Sequence, residues 1–161
     1  MVDKIYALKI FKLCVIILLI IPVHISSQNL EKIKKSDTLY IFFKKDKNNQ
    51  HVNEEITSNT KMKYYNYYYI FGYLGGYQIL MTFTHHYSIS PEEKKEKRSF
   101  LRKNKDVIIT YDFLTKYNLA EATDLIGHKQ KVYLIDDDDI GWFTIKLKEV
   151  KVMGTLPQSI E

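Results

Sequence analysis

The side chains best suited to chemistry in this chain are a histidine pair, four consecutive aspartates and a dense run of tyrosines. His85-His86 lies in Tyr77 to Ser88, where apolar and polar residues alternate. Period-two alternation marks a half-buried strand whose adjacent side chains point to opposite faces. His85 then shares a face with Tyr77, Ile79, Met81, Phe83 and Tyr87, and is expected in or near the core, bonded to backbone. His86 shares a face with Gln78, Leu80, Thr82, Thr84 and Ser88. That face could line a groove, where a histidine can act as general base. His85 and His86 are therefore the catalytic candidates, although neither has a partner acid at usable spacing. The two cannot ligate one ion without a bulge, and no HExxH-type spacing supports a metal.

Asp136, Asp137, Asp138 and Asp139 are the candidate metal ligands, because carboxylates are what Ca²⁺ prefers. The run lacks the Asp-x-Asp-x-Asp-Gly rhythm of an EF-hand, so a solvated turn with Asp side chains bonded to backbone is the competing expectation. Tyr65, Tyr67, Tyr69, Phe71 and Tyr73 line one face of a second strand pattern, and Tyr64, Asn66, Tyr68 and Ile70 the other. Tyrosine pairs a rigid apolar body with a polar tip, which suits stacking on a peptide or glycan. The candidate ligand-binding residues are Tyr65, Tyr67, Tyr69, Tyr73, Thr82 and Thr84. Against this, Lys, Ile, Asn and Tyr all have AT-rich codons and all are plentiful, so tyrosine abundance alone carries little.

The elements that must position these residues follow from the pattern. Thr38 to Lys44 reads as a strand apolar on both faces, hence central or under a helix. Gln28 to Asp37 reads as a polar lead-in, and Lys45 to Lys61 as a long polar loop. Met62 to Tyr73 and Tyr77 to Ser88 are strands joined at Gly75-Gly76 as a hairpin. Ser90-Pro91-Glu92-Glu93 opens a basic helix to about Lys103, with Glu93 four residues before Lys97. Val107 to Ile109 is a buried turn or very short strand. Thr110 caps a short helix, and Asn118-Leu119-Ala120-Glu121 opens another that Gly127 ends. Lys131 to Ile135 and Ile140 to Lys148 are strands, with Phe143, Ile145 and Leu147 inward and Lys146 and Lys148 outward. Val150 and Val152 fall on the opposite parity, which calls for a bulge or a change of face. Gly154 to Glu161 reads as a tail. The expected fold class is α+β: a mostly antiparallel five-stranded sheet with two or three short helices inserted between strands 3 and 4.

The N-terminus has a secretory layout. Lys4, Lys9 and Lys12 precede an apolar run of 11 residues, Leu13 to Val23, and Ile25-Ser26-Ser27 follows. The run is shorter than the roughly 20 apolar residues of a spanning helix. Residues 1–27 are thus expected to be a signal peptide, and 28–161 a single exported α+β domain, periplasmic or secreted. The competing arrangement is an uncleaved membrane anchor. Cleavage would remove Lys4, Lys9, Lys12 and Asp3, lowering the net charge from +5 to +3, and would remove Cys14, the one cysteine. The mature domain would be cysteine-free and tyrosine-rich, without thiol chemistry.

Arg98 and Arg102 are the only arginines, which disfavours nucleic-acid reading, where the planar Arg fork dominates. Lys94, Lys95, Lys97, Arg98, Arg102, Lys103 and Lys105 could sit on an anionic surface but lack the Trp/Phe/Leu stripe of a membrane-lying helix. Membrane contact is expected only through the N-terminal segment if uncleaved. The stretches Val107–Gly127, Lys131–Asp136 and Phe143–Gly154 resemble small uncharacterised exported proteins of Gram-negative bacteria. The resemblance covers about the C-terminal third of the chain and implies export and one compact domain, with no activity carried to any residue. The expected function is a non-catalytic binding protein of the envelope or exterior, its partner a protein, peptide or glycan, with no cofactor. A small His-dependent hydrolase and an anchored membrane protein are the alternatives.

Overall fold

A computed structural model describes residues 28–57, 62–86 and 93–155. The expected signal peptide, the helix start at Ser90-Pro91, Tyr87, Ser88 and the end of the expected tail lie outside the described residues. The described chain is α+β, with two sheets rather than one. Helix α1 (Leu30–Lys35) precedes strand β1 (Thr38–Phe43), and then come β2 (Gln50–Ile56), β3 (Lys63–Leu74) and β4 (Tyr77–His86). Next are β5 (Lys94–Lys97), α2 (Ser99–Lys103), β6 (Ile108–Ile109), α3 (Tyr111–Leu114) and α4 (Leu119–Gly127). The chain finishes with β7 (Lys131–Asp136), a 3₁₀ turn (Asp137–Asp139), β8 (Thr144–Glu149) and β9 (Lys151–Thr155).

The first sheet has the order β5-β8-β7-β1-β6, and the second β2-β3-β4-β9. The expectation of one mostly antiparallel sheet is corrected here. The second sheet is antiparallel throughout, but in the first β1 runs parallel to both β6 and β7. A parallel pair needs a long crossover and cannot be closed by a hairpin, so β1 takes both parallel neighbours from far along the chain. The helices are not one block either: β5 and β6 interrupt them, and α1 precedes the described strands.

Polar strands and one false helix account for most of the local corrections. Gln28 to Asp37 holds α1, whose first turn is capped by Asn29 accepting from Lys32 N at 3.1 Å. The expected long loop contains β2, an edge strand with polar side chains that satisfies its backbone on β3. The expected helix over 91–103 is strand over Lys94–Lys97, which pairs with β8, and helical only from Ser99. Glu93 accordingly meets Lys146 across the sheet, at 3.1 Å, rather than turning with Lys97 along a helix. The caps read from sequence are present: Thr110 Oγ1 accepts from Phe113 N, and Asn118 and Glu121 form a reciprocal capping box at 2.9 and 3.0 Å.

The core lies between the two sheets. Leu39, Ile41, Phe43, Val132 and Leu134 of the first sheet meet Tyr67, Tyr69, Met81 and Phe83 of the second, with Ile33, Phe113, Leu114, Leu119, Ala122 and Ile126 from the helices. The other face of the first sheet buries Ile108, Ile135, Ile145 and Leu147 under Leu101 of α2. β1 is therefore central and covered on both faces, as its two apolar sides require. At Val150 the chain leaves the first sheet and enters the second, so the parity change at Val150 and Val152 is a change of sheet.

Two inward–outward assignments reverse. Phe143 is exposed, because β8 begins only at Thr144. Lys148 is buried, because its face of the first sheet is covered by the second. Its Nζ donates to Tyr67 Oη at 2.7 Å and forms ion pairs with Asp139 at 2.5 Å and Asp136 at 3.6 Å. The Asp139 contact is an ion pair rather than an aligned hydrogen bond.

Candidate recognition face

The outer face of the second sheet collects polar and aromatic side chains from three adjacent strands. Register sets the rows: His51 lies opposite Tyr68, Asn53 opposite Asn66, and Glu55 opposite Tyr64. Tyr64 lies opposite His86, Asn66 opposite Thr84, and Tyr68 opposite Thr82. Thr82 and Thr84 in turn face Met153 and Lys151 of β9. Cross-strand pairs at this spacing touch, so each row is one connected unit.

Hydrogen bonds fix the rows in place. Thr84 Oγ1 donates to Asn66 Oδ1 at 2.7 Å, Asn66 Nδ2 donates to Glu55 Oε1 at 3.0 Å, and the Tyr64 hydroxyl donates to the other oxygen of Glu55. The bond to Glu55 leads the causes that raise the Tyr64 hydroxyl pKa, with burial second. Burial leads for Tyr68, with the Glu55 charge adding to it. Both phenols stay protonated as donors near neutral pH. His51 stacks on Tyr68, ring centroids 4.8 Å apart, and His86 lies 5.4 Å from the Tyr64 ring.

A bulge extends this face. The register shifts between Ile70 and Gly72, where glycine tolerates φ of +155°, and everything beyond changes side. Tyr73, expected with Tyr65, Tyr67 and Tyr69, therefore pairs with Gln78 on the outer side and is 64% exposed. Together with Lys45, Lys47, Asn48 and His51 these two residues line an open notch of about 670 Å³. Asp46 holds the overhanging loop, accepting from Asn48 N at 2.7 Å and Asn49 N at 2.6 Å. These bonds outweigh the burial that opposes them and lower the Asp46 pKa. A second open pocket of about 700 Å³ lies on the inner side, between Phe71, Ile79, Tyr117, Leu119 and Gly154. Neither pocket is lined by His85 or His86.

The residues singled out from sequence are thus divided. Thr82, Thr84, His86 and Tyr73 share the outer face. Tyr67 and Tyr69 are core residues, with Tyr69 Oη donating to Phe42 O and both rings packed on Phe43. Tyr65 is half-buried on the inner side, opposite His85. His85 is buried and its Nδ1–H donates to Glu149 O at 2.8 Å. Asp136 and Asp139 face Lys148, while Asp137 and Asp138 are exposed. Among the described residues no group of three or more His, Cys, Asp or Glu side chains is placed to hold a metal ion.

His51, Glu55, Tyr64, Asn66 and Tyr68 belong to this face and were not among the sequence candidates. The first two sit on β2, whose polar composition reads as loop, and the weak alternation of His51, Asn53 and Glu55 is the signal that could have found them. Gly72, inside an otherwise aromatic strand, is the corresponding signal for the bulge. No family model matches the chain, and no curated protein or solved structure matches it either.

Proposed function

We propose that this chain is an exported, non-catalytic binding domain of the cell envelope or exterior, and that the outer face of the second sheet receives its partner. The observation that carries this reading is the row of half-exposed rings, Tyr64, Tyr68, His51 and His86, locked by the Glu55–Asn66–Thr84 bonds. Side chains held before the partner arrives lose little entropy on binding, so such a face favours affinity. Its length suits an extended partner, peptide or glycan, whose flat or apolar units stack on successive rings. His85 is bonded to Glu149 O and the His86 ring packs on Tyr64, positions that serve structure and contact rather than proton transfer. Export rests on the basic start, the apolar run and the small residues before Gln28.

The test of the binding reading is a screen of the purified chain on immobilised peptides and glycans. Ligands of this face should lose affinity about tenfold or more, 1.4 kcal/mol, on Tyr68→Ala or Tyr73→Ala. Ligands indifferent to both substitutions, or a substrate whose turnover His86→Ala abolishes, would overturn it. Intact mass of the native protein tests export: the expected start is Gln28, and a start at Met1 argues for the anchor.

A further inference from the structure

Among the described residues, the two most exposed large apolar side chains are neighbours. Trp142 is 75% and Phe143 85% exposed, at the apex of the connection between the 3₁₀ turn and β8. The apex is pinned: Gly141 N donates to Thr144 O at 2.9 Å, Arg98 N to Phe143 O at 2.8 Å, and Arg98 Nη1 to Gly141 O at 3.3 Å. These bonds tie it to β5, the lysine-rich edge strand of the first sheet. Lys97 pairs with Thr144 and Lys95 with Lys146, both lysines are exposed, and Arg98, at the turn from β5 into α2, bonds to the backbone of the aromatic pair. Glu96 on the same strand is held by Lys94 at 2.9 Å, and Asp139 by Lys148. The exposed Asp137 and Asp138 belong to the preceding turn rather than to the β5 edge.

We infer that this apex is a membrane-contact device: Trp142 and Phe143 enter the interface of an anionic phospholipid bilayer, and Lys95, Lys97 and Arg98 meet its headgroup phosphates. Indole rings favour the bilayer interface because one edge is polar and the body apolar. Lysine and arginine beside them gain from the negative surface potential of anionic lipid. Two side chains on a turn make too small a patch for a stable protein interface, which needs about 1,000 Å² or more. They are enough for a wedge into lipid that works together with charge. The basic segment read alone lacks an apolar stripe, and the fold supplies it from a different hairpin. This site is on the first sheet, apart from the recognition face on the second.

Trp142 is the only tryptophan, so its emission reports this apex whatever else in the chain touches lipid. The purified full chain is mixed with vesicles of phosphatidylcholine alone, or with phosphatidylglycerol added, carrying brominated acyl chains. With phosphatidylglycerol, Trp142 emission should shift to the blue and be quenched by the bromines. The effect should fall as salt is raised, since the charge attraction is screened. Phe143→Ser should weaken partitioning about tenfold, and Lys95→Gln with Lys97→Gln by a similar factor in the anionic vesicles only. Circular dichroism checks that these surface variants keep the fold. Vesicles that carry the chain while Trp142 stays open to aqueous quencher would sink the proposal. Equal quenching in pure phosphatidylcholine, untouched by the lysine changes, would overturn the anionic recognition. A blue shift without vesicles that grows with protein concentration would instead make the occupant a second copy.

Discussion

Lys148 shows what one side chain gains from a second sheet. Its parity with Thr144 and Lys146 was legible in the sequence, and so was the face they share. What covers that face was not, because alternation reports a face and not its neighbour. In the fold the ammonium sits under Tyr67 and between Asp136 and Asp139, two carboxylates that the sequence offers either as metal ligands or as part of a solvated turn. Burial pulls the Lys148 pKa down, but the contacts with Asp139 and Tyr67 outweigh it and the net shift is upward. Burial dominates for Asp136 and raises its pKa despite the nearby Lys148. Lys148→Met leaves Asp136 buried without its cation and Asp139 with Lys146 alone, 3.5 Å away, and breaking a buried pair costs about 3–5 kcal/mol. Tyr67→Phe removes one hydrogen bond to a charge and should cost about 1–3 kcal/mol. Urea midpoints of the two variants check the order, and a Lys148→Met protein as stable as the parent would show that the cluster contributes nothing.

Elements differ in how plainly they announce themselves. β1, β3, β4, β7 and α4 were readable because they are runs of apolar and aromatic residues bounded by turn residues, and because Asn118 and Glu121 form a cap visible as a motif. β2 and β5 were not, since edge strands rich in Gln, Glu and Lys are held by backbone pairing that leaves little trace in side chains. The last strand is legible in part: Val152 shows the change of face, while Gly154 and Thr155 read as the start of a tail. β9 is held partly by α4, and Gly154 is where they meet: a Cβ there would lie 2.6 Å from Thr123 Oγ1 and 3.5 Å from Leu119. Glycine ordinarily weakens a strand, so alanine at an open position would stabilise it. Here the contact forces α4 away from the sheet, and Gly154→Ala should cost about 1–3 kcal/mol. Removing the obstructing oxygen should reverse the sign. With Thr123→Ala in the background, Gly154→Ala is expected to be neutral or stabilising, a coupling of at least about 1 kcal/mol in a double-mutant cycle. Additive effects would mean that the two elements do not press on each other at this point.

At the scale of the molecule, the two sheets are joined by the crossover at Val150, by the shared apolar core and by the Lys148–Tyr67 bond. The α+β class was legible from segregated patterns. The division into two sheets was not, because it depends on β1 finding partners distant in sequence. The join places two tyrosines, Tyr67 and Tyr69, where ionisation is costly. Burial pushes the Tyr67 hydroxyl up to about 12, against an opposing pull from Lys148, and pushes Tyr69 well above the ordinary phenol value. Lys148 is raised as well. All three groups hold their protons more tightly folded than unfolded. Their contribution is therefore complete below the unfolded values, about 10 for tyrosine and 10.4 for lysine, and is lost as pH rises through the folded ones. Stability should thus be nearly level from neutral pH to about 9 and then fall, with Tyr67 alone accounting for roughly 2–3 kcal/mol of the loss by about pH 12. Urea titrations across that range should show the midpoint dropping in the parent. The drop should be shallower in Tyr67→Phe, which has no proton to lose at that position. An alkaline loss of the same size in both proteins would place its origin elsewhere than at the seam between the sheets.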